Sequence, residues 1–180
     1  MDHYIKELKP IPLTKEDRAH PDTGVSDPLH VDYMSVTGGV GWLAQFRYDA
    51  SVYIGALQRA TQKPTIDNCI SVNRLLKWLK RTPAHLIYKR LEGPLRIMVI
   101  TDSAFKRTDP DGLATRGHLV MVGTMLKHKD GNPEEPSLLG HIMDGISRRH
   151  KRVARSTYAA ELHGAADAVE PAKLLAMIYT

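Results

Sequence analysis

The chain has 180 residues, which suffices for one ordinary domain or one compact domain with a helical appendage, and this length argues against two large domains. The 25 Lys and Arg residues exceed the 20 Asp and Glu residues, so an anionic partner such as nucleic acid is plausible without being required. The single cysteine, Cys69, excludes an intramolecular disulfide and a multi-thiolate metal site. A single cysteine is typical of proteins in a reducing compartment, and we expect Cys69 to be a small buried side chain.

The N-terminal stretch MDHYIKELKPIPLTKEDR lacks the apolar core and the small-residue cleavage site of a secretory signal. The longest apolar runs, HLVMVGTML and KLLAMIY, are far shorter than the roughly 20 residues that a bilayer span needs. The nine histidines show no His-x-x-x-His spacing, which argues against a zinc site. We therefore expect a soluble intracellular protein, cytoplasmic or nuclear, with no membrane partner.

The first part of the chain predicts helices. Residues 1–30 hold four prolines among charges and indicate an extended lead-in after a short helix at HYIKEL. Residues 31–83 predict a helical connection segment made of SVTGGVGWLAQF, DASVYIGALQRAT with Asp49 as N-cap, and PTIDNCISVNRLLKWLKRT beginning at Pro64. The apolar side of the last helix comprises Ile70, Leu75, Leu76 and Leu79. Its cations form either a solvated face or a phosphate-binding stripe: Arg74, Lys77, Lys80 and Arg81.

Residues 84–180 predict a mixed α/β domain. Four short β-type runs, HLIYKRL, PLRIMVITD, GHLVMVGTML and LLGHIMDGIS, are separated by turn residues, and the last three fit an antiparallel meander between residues 95 and 147. PLRIMVITD is apolar on both faces, as expected of a central strand. An alanine-rich helix from about Ser156 to Glu170 follows, and AKLLAMIYT predicts a fourth strand. A helix between two strands is a crossover, so that strand should lie parallel to the central one.

Two carboxylates are candidates for chemistry. Asp102 ends the central strand, where open α/β sheets place ligands, although a strand-ending turn residue is the alternative. Glu161 shares a helix side with Tyr158 and Ala165, so it borders the packed face and can reach a strand end. Carboxylates converging from two elements suit Mg²⁺. No third ligand is convincing among the remaining aspartates, since Asp167 should face away and the others look like turn or strand residues: Asp109, Asp111 and Asp144.

A basic run precedes the helix that carries Glu161. As a solvated loop the run needs no functional explanation, but beside a phosphodiester-cleaving site it would contact phosphates. Its cations are Arg148, Arg149, Lys151, Arg152 and Arg155.

Four stretches carry a family resemblance: YMSVTGGVGWLAQFRYDASVYIGAL, KPTIDNCISVNRLLKWLKRTP, VITDSAFKRTDPDGLATRGHLVMVG and SRRHKRVARSTYAAELHGAADAV. Together they resemble the C-terminal part of copia-type LTR-retrotransposon Pol polyproteins, from the end of the reverse transcriptase through the first half of the ribonuclease H domain. The resemblance covers nearly the whole chain from about Tyr33, in the same order. TDSAFKR…ATRGH aligns with the pattern SDADWAG…STSGY of these transposable elements, and YAAEL aligns with STEAEY.

The resemblance implies a ribonuclease H-like fold and a hydrolase, an endonuclease acting on the RNA strand of an RNA–DNA hybrid. It places Asp102 and Glu161 on catalytic, metal-binding positions, with Asp102 bridging two Mg²⁺ ions and Glu161 holding one. One ion would activate water and the other would stabilise the leaving oxygen. The implied partners are the hybrid or another nucleic acid, contacted by the basic run, and the remainder of the reverse transcriptase polyprotein.

The chain departs from the family pattern at several positions. Ala104 replaces the second Asp of SDAD, Phe105 replaces its Trp, Gly112 replaces an Arg, and FRYD replaces TRPD. In the family the strand after the glutamate helix ends in a third catalytic aspartate, whereas LLAMIYT ends at Thr180. We therefore expect this chain alone to bind metal weakly and to cleave poorly or not at all. The alternatives are a non-catalytic nucleic-acid-binding module and a nonfunctional transposon remnant with LLAMIYT as an uncovered edge strand.

Overall fold

A computed structural model describes residues 2–105, 113–126, 137–150 and 153–179. The chain divides into two compact units, Met1–His85 and Leu86–Thr180, and each is described by itself. The first unit is helical, and the second is a three-stranded antiparallel sheet covered by one helix. None of the helices in these described stretches is long and apolar enough to cross a membrane.

The helices of the first unit are α1 (Asp2–Glu7), α2 (Lys15–Ala19), α3 (Asp27–Leu43), α4 (Ser51–Arg59) and α5 (Ile66–Arg81), with a 3₁₀ turn at Tyr48–Ala50. Residues 1–30, expected to be an extended lead-in, hold α1, α2 and the first turn of α3. Ile5 and Ile11 from this stretch lie in the core. Pro28 sits in the first turn of α3, where its missing N–H costs no helical hydrogen bond.

The core of this unit forms where α3, α4 and α5 meet. As the apolar spacing predicted, α5 buries Leu75, Leu76 and Leu79, while Ile70 is half-buried. Cys69 is fully buried as predicted, and burial raises the pKa of its thiol to about 11. Asp49, expected to cap α4, lies instead in the 3₁₀ turn and accepts hydrogen bonds from Arg47.

The second unit contains β1 (Arg96–Ala104), β2 (Thr115–Leu126), β3 (Ser137–Arg149) and α6 (Thr157–Tyr179). The strands form the predicted antiparallel meander in the order β1-β2-β3. The prediction that β1 is the central strand is wrong, because among the described strands β1 pairs with β2 alone and β2 takes the centre. The first β-type run, HLIYKRL, forms no ladder and instead contacts β3, with Tyr88 Oη donating to the Ile142 carbonyl at 3.1 Å.

The predicted fourth parallel strand is also wrong. Residues 171–179 continue α6, so the helix runs through Pro171 and one helix replaces the expected helix and strand. The reason is local: the segment consists largely of strong helix formers, with Ile178 as its one β-branched residue. Pro171 removes one N–H from the helix but does not end it.

Small residues bring α6 close to the sheet. Ala160, Gly164 and Ala168 are buried and recur every four residues, which places them on one side of the helix facing β1 and β2. A methyl group at Gly164 would lie 2.5 Å from Ser103 Oγ of β1. The absence of a side chain at Gly164 therefore sets the distance between helix and strand.

Ser103 and His150 fill the space under Gly164. Ser103 Oγ donates to the Ala160 carbonyl at 3.1 Å and lies 3.4 Å from His150 Nε2. His150 follows β3 directly, is buried, and its backbone N–H donates to the Ala114 carbonyl at 2.8 Å. Burial lowers the pKa of its imidazole, as do the nearby Arg116 and His163, with Glu161 opposing them.

We predict that Gly164→Ala lowers the free energy of unfolding by about 1 to 2 kcal/mol, because displacement of Ser103 Oγ outweighs the roughly 1 kcal/mol by which Ala favours a helix. In a Ser103→Ala background the same substitution should be neutral or stabilising, since the next nearest atoms lie 3.9 Å away. Urea unfolding of the four proteins of this double-mutant cycle measures the coupling. Equal costs in both backgrounds would contradict the proposed contact.

We further predict that acid weakens the fold through His150. The unfolded chain takes up a proton at this histidine near pH 6.5, whereas the folded chain does so only at lower pH, so the free energy of unfolding falls as the pH falls below about 6.5. Urea unfolding at about pH 7.5 and about pH 5.5 should show a smaller loss for His150→Gln than for the unsubstituted chain. An identical pH response in both proteins would show that His150 does not contribute.

Candidate functional site

Glu161 reaches the end of β1. The preceding residue, Ala160, is buried against the sheet, and Glu161 Oε1 accepts a hydrogen bond from the Ser103 backbone N–H at 3.3 Å. Ser103 directly follows Asp102, so the two candidate carboxylates belong to neighbouring positions of one sheet corner. Tyr158, expected to share the packed side with Glu161, is instead exposed.

Asp102 lies opposite Gly117 of β2 and is exposed. Because successive side chains of a strand point to opposite faces and Ser103 faces α6, Asp102 is directed to the other face of the sheet. The two carboxylates therefore approach the end of β1 from its two sides. This arrangement leaves the Asp102 carboxylate open to solvent and to a ligand.

A row of paired residues crosses the sheet at the same end. Ser103 of β1 is opposite Arg116 of β2, and Arg116 is opposite Arg148 of β3. Arg116 is buried, whereas Arg148 is exposed. Burial lowers the pKa of the Arg116 guanidinium, and the charge of Arg148 lowers it further. At the usual strand spacing, the backbone of Arg148 is about 10 Å from that of Ser103.

The expectation that Asp167 faces away from the sheet is wrong, because its half-exposed carboxylate pairs with the buried Arg116. Asp167 follows the buried Ala160 by seven residues, which brings it back to within about 20° of that position on the helix. Glu161, one residue after Ala160, lies about 100° from it. Asp167 is therefore on the packed side and is engaged by a cation.

The remaining aspartates add no ligand here. Asp144 Oδ2 lies 3.3 Å from His118 Nε2 across β2 and β3. Asp109 and Asp111 lie outside the described residues. Among the residues that the structure describes, no three His, Cys, Asp or Glu side chains form a group that could hold a metal ion. Carboxylate oxygens suit a hard cation such as Mg²⁺, but Asp102 and Glu161 alone do not make a two-ion site.

The basic run is described in part. Arg148 and Arg149 are the last residues of β3, and Arg155 lies exposed just before α6. Lys151 and Arg152 lie outside the described residues. The ends of β1 and β3 and the start of β2 share one end of the sheet, so the described part of the run flanks the candidate carboxylates.

Ser103, Arg116 and His150 were not singled out from the sequence. For Arg116 a signal was present, because Arg116, His118, Val120 and Val122 alternate along β2 and share the buried face. An inward-facing arginine in such a register predicts a buried ion pair. The sequence has no comparable pattern that predicts the burial of His150. This residue is buried because the chain passes beneath α6 directly after the end of β3.

Comparisons with known proteins give one relationship. No protein-family model and no solved structure matches the chain. It is 26% identical over 148 residues to the Retrovirus-related Pol polyprotein from transposon RE2 of Arabidopsis thaliana, which covers 82% of this chain and 9% of the polyprotein. It is 25% identical over 145 residues to that from transposon RE1 of the same plant, covering 81% and 9%. The chain is thus distantly similar to copia-type Pol polyproteins and spans a small share of their length.

Proposed function

We propose that the unit Leu86–Thr180 corresponds to the first part of a retrotransposon ribonuclease H domain, with Asp102 and Glu161 as two of its metal-binding carboxylates. The observation that supports this most is the hydrogen bond from the Ser103 N–H to Glu161 Oε1, which joins the two elements that carry these residues. The similarity to Pol polyproteins supports the same assignment. The substrate class is an RNA–DNA hybrid.

Acidic and basic residues have different roles in this proposal. Asp102 and Glu161 would hold Mg²⁺, which when bound supplies charge stabilisation at a phosphodiester. Ser103 positions Glu161 through its backbone N–H and α6 through its hydroxyl. Arg148 and Arg155 are exposed at the same end of the sheet and would contact backbone phosphates.

Two carboxylates are too few for efficient two-ion hydrolysis, so we propose that the 180-residue chain binds a hybrid but does not cleave it. A second candidate function, a non-catalytic nucleic-acid-binding module, is favoured by the exposed cations Arg148 and Arg155 at this end of the sheet. Metal affinity distinguishes the two functions, because the binding module needs no cation.

Metal binding tests the site. We predict that Asp102→Asn and Glu161→Gln each weaken Mg²⁺ binding by about tenfold or more, since each removes an anionic ligand. Asp144→Asn is the matched control, because this aspartate bonds His118 on the same sheet and should leave binding unchanged. Isothermal titration measures the affinity. Hybrid cleavage that survives Glu161→Gln, or metal binding that is indifferent to both substitutions, would contradict the assignment.

Salt dependence tests the nucleic-acid surface. The logarithm of the affinity falls linearly with the logarithm of the salt concentration. We predict that Arg148→Ala with Arg155→Ala makes this slope less steep, by roughly 0.9 for each phosphate that these arginines neutralise. Arg90→Ala with Arg96→Ala is the control, since both arginines are exposed and Arg96 begins β1 at the other end of the sheet. Fluorescence anisotropy with a labelled hybrid gives the slopes. Equal slopes for the two double variants would count against the proposed surface.

A further inference from the structure

The outer side of α5 in the first unit separates two open cavities of different chemistry. One, of about 690 Å³, lies between α4 and α5 and is lined by Tyr53, Leu57, Leu75 and Trp78 among others. Tyr53 is 61% exposed and Trp78 is 38% exposed, which is high for large aromatic side chains that border a cavity. Asp49 also lines this cavity, and its carboxylate is paired with Arg47, so the cavity offers mainly flat apolar surface to a ligand.

Trp78 is held in place by a buried cation. The Arg47 guanidinium lies 5.1 Å from the centroid of the Trp78 ring and is itself only 1% exposed. Arg47 donates from Nε and Nη2 to the Asp49 carboxylate at 2.9 and 2.8 Å, and from Nη1 to the Thr82 carbonyl at 2.9 Å. Because the ring is fixed before any ligand arrives, stacking on it loses little side-chain entropy.

The second cavity, of about 900 Å³, lies on the other side of α5 against the segment from Pro10 to Arg18. Five cations line it, and none of the described residues lining it is acidic: Arg18, Arg74, Lys77, Lys80 and Arg81. Lys80 Nζ is fixed by the Leu8 carbonyl at 2.6 Å. Within the described stretches, Arg74, Lys77 and Arg81 form no ion pair with a carboxylate. The cavity therefore favours an anion.

Arg74 lines both cavities and joins them. On the helix Trp78 lies about 40° to one side of Arg74 and Lys77 about 60° to the other. A ligand crossing α5 at Arg74 would meet cations on one side and an aromatic ring on the other. An acidic peptide would satisfy the cations and leave the aromatic cavity without a planar partner, whereas a polynucleotide carries both phosphates and planar bases.

We propose that α5 binds single-stranded nucleic acid, with phosphates in the basic cavity and a base stacked on Trp78. Positively charged grooves beside aromatic side chains bind single strands in this way, because every base presents a π-face. A duplex keeps its bases stacked and offers only its phosphates. This surface uses residues of the first unit alone and is independent of Asp102 and Glu161.

The chain has two tryptophans, so Trp42→Phe leaves Trp78 as the only tryptophan reporter. With the full chain and an oligothymidylate of about 12 nucleotides, we expect quenching of Trp78 fluorescence on binding. Arg74→Glu with Lys77→Glu should weaken binding at least tenfold, and Tyr53→Leu and Trp78→Leu at least about fivefold each. Trp78→Phe keeps a ring and should retain most of the affinity. Fluorescence anisotropy of a labelled oligothymidylate measures the affinity of all variants, including those that lack Trp78.

The matched control is Arg59→Glu with Lys63→Glu, which reverses two exposed charges of the same unit that line neither cavity. It should bind like the unsubstituted chain. Equal competition by duplex DNA or by polyglutamate, or binding without quenching of Trp78, would overturn the proposal by showing a polyanion surface that does not read bases. Tyr53 is exposed, so its substitution remains informative if the Trp78 variants fail to fold.

Discussion

The close approach of α6 to β1 at Gly164 positions the polar groups of the second unit. Since no side chain separates the two backbones there, Ser103 Oγ reaches the Ala160 carbonyl and the Ser103 N–H reaches Glu161. His150 fills the remaining space, and its burial near Arg116 lowers the pKa of its imidazole. A longer side chain at Gly164 would move the helix away and withdraw Glu161 from the strand end. Packing and site geometry thus depend on the same contact.

Much of this arrangement was predictable from local patterns. The three-stranded meander followed from apolar alternation and strong turn residues, and the buried side of α5 followed from its spacing of leucines. The proximity of Glu161 to the end of β1 could be anticipated because small residues let a helix lie close to a sheet. The sequence pattern did not predict which side of α6 is buried. That side comprises Ala160, Gly164 and Ala168, and it leaves Tyr158 exposed.

The wrong predictions concern segments where a rule about sheet topology conflicts with local helix propensity. A crossover helix predicts a following parallel strand, but residues 172–177 favour helix and continue α6. Without that strand β1 is an edge strand among those described, and its two-sided apolar pattern no longer marks a central position. The prediction for Asp167 is wrong for a related reason: Ala160, and not Glu161, defines the packed side of α6, and Asp167 lies near Ala160 on the helix.

Charge decides which chemistry this end of the sheet supports. To serve as a third metal ligand, Asp167 would have to leave Arg116, and the buried guanidinium would then lose its anionic partner. Asp102 and Glu161 are therefore the two carboxylates that remain at the end of β1, which they approach from its two sides. Phosphate attraction needs only exposed cations such as Arg148, whereas hydrolysis needs more oxygen ligands than two carboxylates provide. Binding and cleavage thus depend on different residues, and the first can persist where the second is absent.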